Sequence, residues 1–188
     1  MGRQRGTWGL ILAGIGLIVL GGASALFLRN RLVQDTQQPT DFSAVPADVE
    51  FQAPVLVLND LADEPHALSD YVGQVVLVNI WATWCPPCKA EMPGLQAFFD
   101  KHRGEGFTVI AIEDGDPAVE VRDFVKSYGL TFPVWLDPGN VASEQAFKTI
   151  NLPTSYVIDR AGTVRLFWLG AISQTNLEKY VAPLIQER

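Results

Sequence analysis

The sequence predicts an α/β domain: a sheet with a parallel core, helices on both faces, and a terminal hairpin that adds an antiparallel edge. Three observations carry this. From Phe51 onward, short apolar segments alternate with amphipathic ones, the pattern of strands joined by crossover helices. One segment, Gln74–Trp81 (QVVLVNIW), is almost continuously apolar, as a strand covered on both faces must be. Near the end, TSYVIDRAGTVRLFWLG holds two strand-like runs around a polar turn at Arg160–Gly162, which reads as a hairpin.

The elements follow in order. Val55–Leu58 is a short strand, and NDLADEPHALSDYVG turns back from it into a short helical piece. After the buried strand comes a helix from about Pro86 to His102, with Leu95, Phe98 and Phe99 on its inner side. Pro93 lies inside that helix and is expected to kink it. GFTVIAIED is the next strand. DPAVEVRDFVKSYG is a helix in which Asp116 is the expected N-cap, Pro117 the first helical residue and Gly129 the terminator. FPVWLD is a strand and VASEQAFKTI a helix; after the hairpin, SQTNLEKYVAPLIQE is the last helix. Trp81 and Trp135 fall on strands and read as core.

The N-terminus has another character. Trp8 to Leu28 is 21 residues without a charge, roughly 31 Å as a helix and about the thickness of a bilayer core. Residues 1–31 therefore read as a transmembrane anchor or a signal sequence. Ala23-Ser24-Ala25 fits a cleavage site, but the run is long for a signal h-region of about 7–15 residues, which favours the anchor. Arg3 and Arg5 precede it, and Arg29 and Arg31 follow. The near tie tips toward a cytoplasmic start, leaving the remainder outside the cytoplasm. Residues 32–50, polar and proline-bearing, read as a linker; residues 51–188 are the folded domain. Beyond the anchor, 21 acids face the 10 bases left once the four flanking arginines are set aside, a net of −11. Such a surface disfavours nucleic acid and anionic membranes as partners.

The chemistry lies in VNIWATWCPPCKAEMPG. It contains both cysteines of the chain, Cys85 and Cys88. The pair follows a buried strand and opens a helix, which turns a C-x-x-C from a weak signal into a strong one. A helix N-terminus favours a thiolate, so Cys85 is the expected nucleophile and Cys88, one turn in, the resolving thiol. Pro86 and Pro87 supply no N–H, which leaves Cys88 and Lys89 as the nearest backbone donors to the Cys85 sulfur. Structural zinc needs four ligands, and His66 and His102 lack ligand-like spacing to the thiols. A c-type haem site needs His where Lys89 stands. An inert disulfide across two residues would restrain the unfolded chain very little. No metal or cofactor is expected.

With these residues in view, the sequence resembles the thioredoxin superfamily and, within it, the membrane-anchored TlpA/ResA-like thiol–disulfide oxidoreductases. WCPPCK, INLPTSYVIDRAGTV and LGAISQTNLEKYV carry the resemblance, which spans roughly Phe51 to Glu187. It implies a thioredoxin fold with an N-terminal β-hairpin and an extra strand and helix at about Phe107–Gly129. It implies that Cys85 and Cys88 form and break a disulfide, and that the Leu152–Pro153 bond is cis and lies across from them. Trp84, Pro86, Pro87, Leu152, Pro153 and Thr154 then become the substrate-contact surface. Classical thioredoxins carry a buried Asp where this chain has Asn79, which cannot titrate; Glu91, three residues past Cys88, matches an acid of the ResA-like branch. If buried, Glu91 would accept the Cys88 proton. Glu113, at the end of its strand, is a further acid within possible reach of the site.

The resemblance implies substrate proteins with cysteine pairs, apocytochrome c among them, and a membrane electron donor of the DsbD/CcdA type. Two other functions compete. A thiol peroxidase of the redoxin group would want a Thr and an Arg around its cysteine; Thr83 is near, but no arginine is close in sequence. A copper-delivery or copper-binding protein of the Sco kind would want C-x-x-x-C and a downstream ligand histidine; the spacing here differs, and only His102 follows.

Overall fold

The structure, a computed structural model, describes residues 45–187. The expected anchor and most of the linker lie outside them. Among the described residues, no helix is long and apolar enough to cross a membrane.

Among the described residues, eight strands form one mixed sheet: β1 (Ala47–Gln52), β2 (Val57–Asp60), β3 (Pro65–Ala67), β4 (Val75–Trp81), β5 (Phe107–Glu113), β6 (Val134–Leu136), β7 (Thr154–Ile158) and β8 (Thr163–Leu169). Their spatial order is β1-β8-β7-β4-β5-β6-β2-β3. Only β4, β5 and β6 run parallel. The C-terminal hairpin, expected at the edge, docks its β7 antiparallel against the central β4. Its outer strand β8 is then covered by β1. Thus β1 begins at Ala47, inside the stretch read as linker. ADVEFQ alternates apolar and polar residues, the period of a strand; it lies almost wholly exposed at the sheet edge, so it lacks the apolar run that marks the inner strands. At the other edge, β2 and β3 make the expected N-terminal hairpin.

The faces are unequal. One face carries α1 (Pro86–His102), α2 (Ala118–Tyr128) and α3, whose three segments are Gln174–Asn176, Leu177–Val181 and Ala182–Gln186. Val75, Leu77 and Trp81 of β4 pack there with Met92, Leu95, Phe98, Val121, Phe124, Leu177 and Val181. The opposite face, with Val76, Val78 and Ile80, is closed only by helical turns at Leu68–Tyr71 and Val141–Ala146 and by Leu56, Leu58 and Phe147. β4 and β5 are buried at every position.

Local differences have local causes. Pro93 sits within an α1 that runs unbroken from Pro86 to His102. Pro117, not Asp116, is the N-cap of α2, because the Asp116 carboxylate is bonded to Thr83. Gly129 ends α2 in the left-handed region, φ 63°. The helix expected over VASEQAFKTI is a single turn, Val141–Ala146. Buried Asp137 caps it by accepting from the N–H groups of Val141, Ala142 and Ser143, and Lys148 at φ 55° ends the region. The central segment of α3 is wider than an α-helix: the Ala182 N–H donates to Leu177 O, five residues back. Pro183 follows and brings no N–H to the ladder.

One side chain ties the end of the molecule at the start of β4. The Arg160 guanidinium donates to the carbonyls of Gly73, Glu105, Gly106, Ile185 and Glu187. It joins the β7–β8 turn to the entries of β4 and β5 and to the end of α3. Gly106, at φ 75°, leaves room for it: a Cβ there would stand 2.6 Å from the guanidinium. Arg160→Ala is expected to destabilise the fold by about 2 kcal/mol in denaturant unfolding. Arg160→Lys recovers little of this, because an ammonium cannot span the same fork of acceptors.

Candidate redox site

Strand β4 ends at Trp81, and the chain turns through Ala82-Thr83-Trp84 into Cys85, the N-cap of α1. The Cys85 N–H donates to Ala82 O at 3.2 Å, which tightens this turn. Cys85 and Cys88 are joined by a disulfide, with their Cα atoms 5.3 Å apart. Cys88 has no exposed surface and Cys85 very little, so what exposure the pair has belongs to the expected nucleophile. Of the two expected donors, one is in place: the Cys88 N–H donates to the Cys85 sulfur at 3.3 Å. The Lys89 N–H instead donates to the Cys85 carbonyl, as a helix requires. The helix N-terminus therefore offers Cys85 a single donor plus its dipole.

Beside the cysteines, apolar residues reach solvent. Pro86 and Pro87 are exposed, and the Trp84 side chain is 63% exposed. The Leu152–Pro153 bond is cis, as expected. Pro153 is buried and its carbonyl accepts from the Gly170 N–H; Leu152 is half-buried and Thr154 buried. Thr154 pairs with Ile80 in the β4–β7 ladder. That register places the cis-proline loop at the sheet end from which the cysteine turn departs.

Glu91 is buried, 3% exposed, one helical turn beyond Cys88. Its Oε1 accepts from Asn79 Nδ2 at 2.8 Å and its Oε2 from the Ile172 N–H at 2.7 Å. Burial raises its carboxyl to about 8, against the smaller opposing effect of those two hydrogen bonds. Asn79 also donates to Ser155 on the neighbouring strand. Asn79 thus holds Glu91 through its amide, a pairing invisible in sequence because the two stand 12 residues apart on different elements.

A second acid is buried at the same end of the sheet. Glu113 closes β5 in register with Trp81 and has no exposed surface. Both its oxygens accept from the Asp116 N–H, and Asp116 Oδ2 accepts from the Thr83 N–H and hydroxyl at 2.8 and 2.7 Å. Burial first, then the hydrogen bond and charge of Asp116, push Glu113 up to about 8. The hydroxyl of Thr83 is thereby committed to Asp116, away from the role a peroxidase site would give it. His102, the residue on which a copper site would depend, bonds Glu105 at the far end of α1, roughly 25 Å along the helix from Cys85.

The profile of the AhpC/TSA family matches residues 49–167. The chain belongs to that family. Within it, the chain is 35% identical over 132 residues to thiol-disulfide oxidoreductase ResA of Geobacillus kaustophilus, covering 69% of this chain and 74% of the relative. Solved structures agree. A thioredoxin family thiol:disulfide interchange protein from Chlorobium tepidum superposes with a TM-score of 0.66 at 27% identity, over 74% of this chain and 99% of the other. A secreted thiol-disulfide isomerase from Corynebacterium glutamicum gives 0.70 at 25% identity, over 80% and 96%. The fold is that of thioredoxin, and the chemistry of the chain is thiol–disulfide exchange.

Glu91 and Glu113 bind their protons more tightly in the folded than in the unfolded chain. Between about pH 4.5 and about pH 8 the unfolded chain has released protons that the folded protein retains. Stability is therefore highest below this window and falls as pH rises through it. Denaturant unfolding of the disulfide form is expected to show that decline, with a shallower slope in Glu91→Gln. An unchanged slope in the variant would contradict the assignment of the raised value to Glu91.

Proposed function

We propose that the chain reduces disulfides of substrate proteins outside the cytoplasm, held at the membrane by residues 1–31 and supplied with electrons by a membrane partner of the DsbD/CcdA type. The observation that carries the reductase reading is Glu91, a buried carboxyl one turn from Cys88 whose proton affinity matches that of a thiol. The Cys85 thiolate attacks a substrate disulfide, forms a mixed disulfide and releases one substrate thiolate. Cys88 then gives its proton to Glu91 and attacks the Cys85 sulfur. The Cys85–Cys88 disulfide forms, the second substrate thiolate leaves, and two electrons have passed to the substrate. Trp84, Pro86, Pro87 and Leu152 form the apolar collar against which the substrate chain lies; Pro153 and Thr154, expected in that surface, are buried behind it, with the Thr154 hydroxyl donating to Asn151 O. The ResA name of the curated relatives supports apocytochrome c, with its paired cysteines, as a client; the apolar N-terminal run supports the anchor.

Four measurements test this. The full-length protein is expected to have a reduction potential near or below the roughly −270 mV of thioredoxin; a value near the roughly −120 mV of a strong oxidant reverses the proposed direction. Cys88→Ser accumulates a mixed disulfide through Cys85, and Cys85→Ser forms none. Glu91→Gln slows release from the mixed disulfide by about 100-fold at neutral pH, the lower range for loss of a positioned base. Trp84→Ala lowers kcat/KM for a protein disulfide about tenfold, the weight of one buried aromatic contact, and leaves the rate with a small dithiol unchanged. Equal losses with both substrates would remove Trp84 from the contact surface.

A further inference from the structure

Two loops leave the same end of the sheet from adjacent strands, one after β4 and one after β5. They are stitched together. The Asp114 N–H donates to Trp81 O at 2.9 Å. Asp116 then takes both donors of Thr83, and its own N–H is held by the Glu113 carboxyl. Thr83 stands two residues before Cys85. The two carboxyls also act on each other, Asp116 raising Glu113 and Glu113 lowering Asp116; a hydrogen bond between two carboxyls requires one of them to carry a proton. Burial works against the Asp116 carboxylate, but the donors of Thr83 and Glu113 hold it below the usual carboxylate range. The proton therefore sits on Glu113, which donates to Asp116.

We infer that Glu113 is a positioning residue for the redox turn: its proton completes a clamp from Glu113 through Asp116 to Thr83, and loss of that proton releases the clamp. The inference rests on the redox reading of the cysteine pair. Ionised, Glu113 faces the Asp116 carboxylate without a proton between them and repels it. Nothing basic compensates. The charges acting on Glu113 are those of Asp116 and Asp114, and Asp114 in turn feels Asp137 and Glu144. The charged residues of α2, namely Glu120, Arg122, Asp123 and Lys126, are exposed. On the same face of the sheet, Glu91 is engaged by Asn79 and Ile172.

The test uses the full-length chain in its disulfide form, in which the cysteines do not titrate. The amide resonance of Thr83 is followed by NMR from acid to alkaline pH. It is expected to shift with a midpoint near 8 in the parent, to stay flat in Glu113→Gln, and to titrate as in the parent in Glu91→Gln. In the same samples, a phosphine reductant opens the disulfide. The parent and Glu113→Gln react alike at acid pH, because the glutamine amide donates to Asp116 as the acid does. At alkaline pH the parent gains about fivefold on the variant, the weight of one hydrogen bond lost from the clamp. Thr83→Ser retains this pH step and Thr83→Val loses it, which keeps the test open if Glu113→Gln fails to fold. A Thr83 amide that does not titrate in the parent, or that titrates equally in Glu113→Gln, overturns the inference, as does its disappearance in Glu91→Gln. A chain that fails to reduce protein disulfides, yet shows the Thr83 titration, overturns the functional reading and leaves the clamp standing.

Discussion

Strand β4 is covered on both faces and flanked on both edges, and this constraint organises the site. Every backbone group of a strand so enclosed must be bonded, since no water reaches it. β5 on one side and β7 on the other therefore pair with it residue by residue: Trp81 with Glu113, Ile80 with Thr154, Asn79 with Ser155. Each of those pairs delivers a part of the site to one end of the sheet. The cysteine turn, the cis-proline loop and the acid at the end of β5 are together because three strands end in register.

Into this apolar layer the protein places two carboxyls. A charged carboxylate there is costly, and the donors provided, Asn79 and Ile172 for Glu91 and the Asp116 N–H for Glu113, are too few to reverse it. The acids are held close to the pH at which they change state, where an acid or base is most useful for moving protons. Stability is given up across the neutral range for that poise, as is common where local structure serves chemistry rather than packing.

Much of this was legible in the residues. Gln74–Trp81 announced a doubly buried strand because both faces demanded apolar side chains. The limits of α1 were marked by two prolines at its start and apolar residues at helical spacing. Gly129 and Gly162 marked turns because only glycine adopts their backbone freely. The cysteine spacing and the proline of INLPTS located the chemistry through resemblance. What failed to show was whatever depends on partners far along the chain. β1 is an exposed edge strand, so only the alternation of ADVEFQ betrays it. Asp116 looked like a helix cap because its neighbours are helical, yet its carboxylate is taken by Thr83, 33 positions earlier. The bond between Asn79 and Glu91 has no local signature, although each residue had been singled out alone. Single residues carry their chemistry in the sequence; their pairings belong to the topology.

The hydrogen bond from Ile172 to Glu91 has a consequence for the order in which the molecule becomes competent. It joins the cysteine helix to a residue 81 positions later, just ahead of the last helix. The cysteine pair emerges during synthesis well before that segment exists. Until the C-terminal hairpin has inserted beside β4 and α3 has docked, Glu91 lies against water and keeps the acidity of an ordinary carboxyl. The nascent chain carries its thiols before the buried carboxyl beside them exists, and that carboxyl matures only with the closing of the fold.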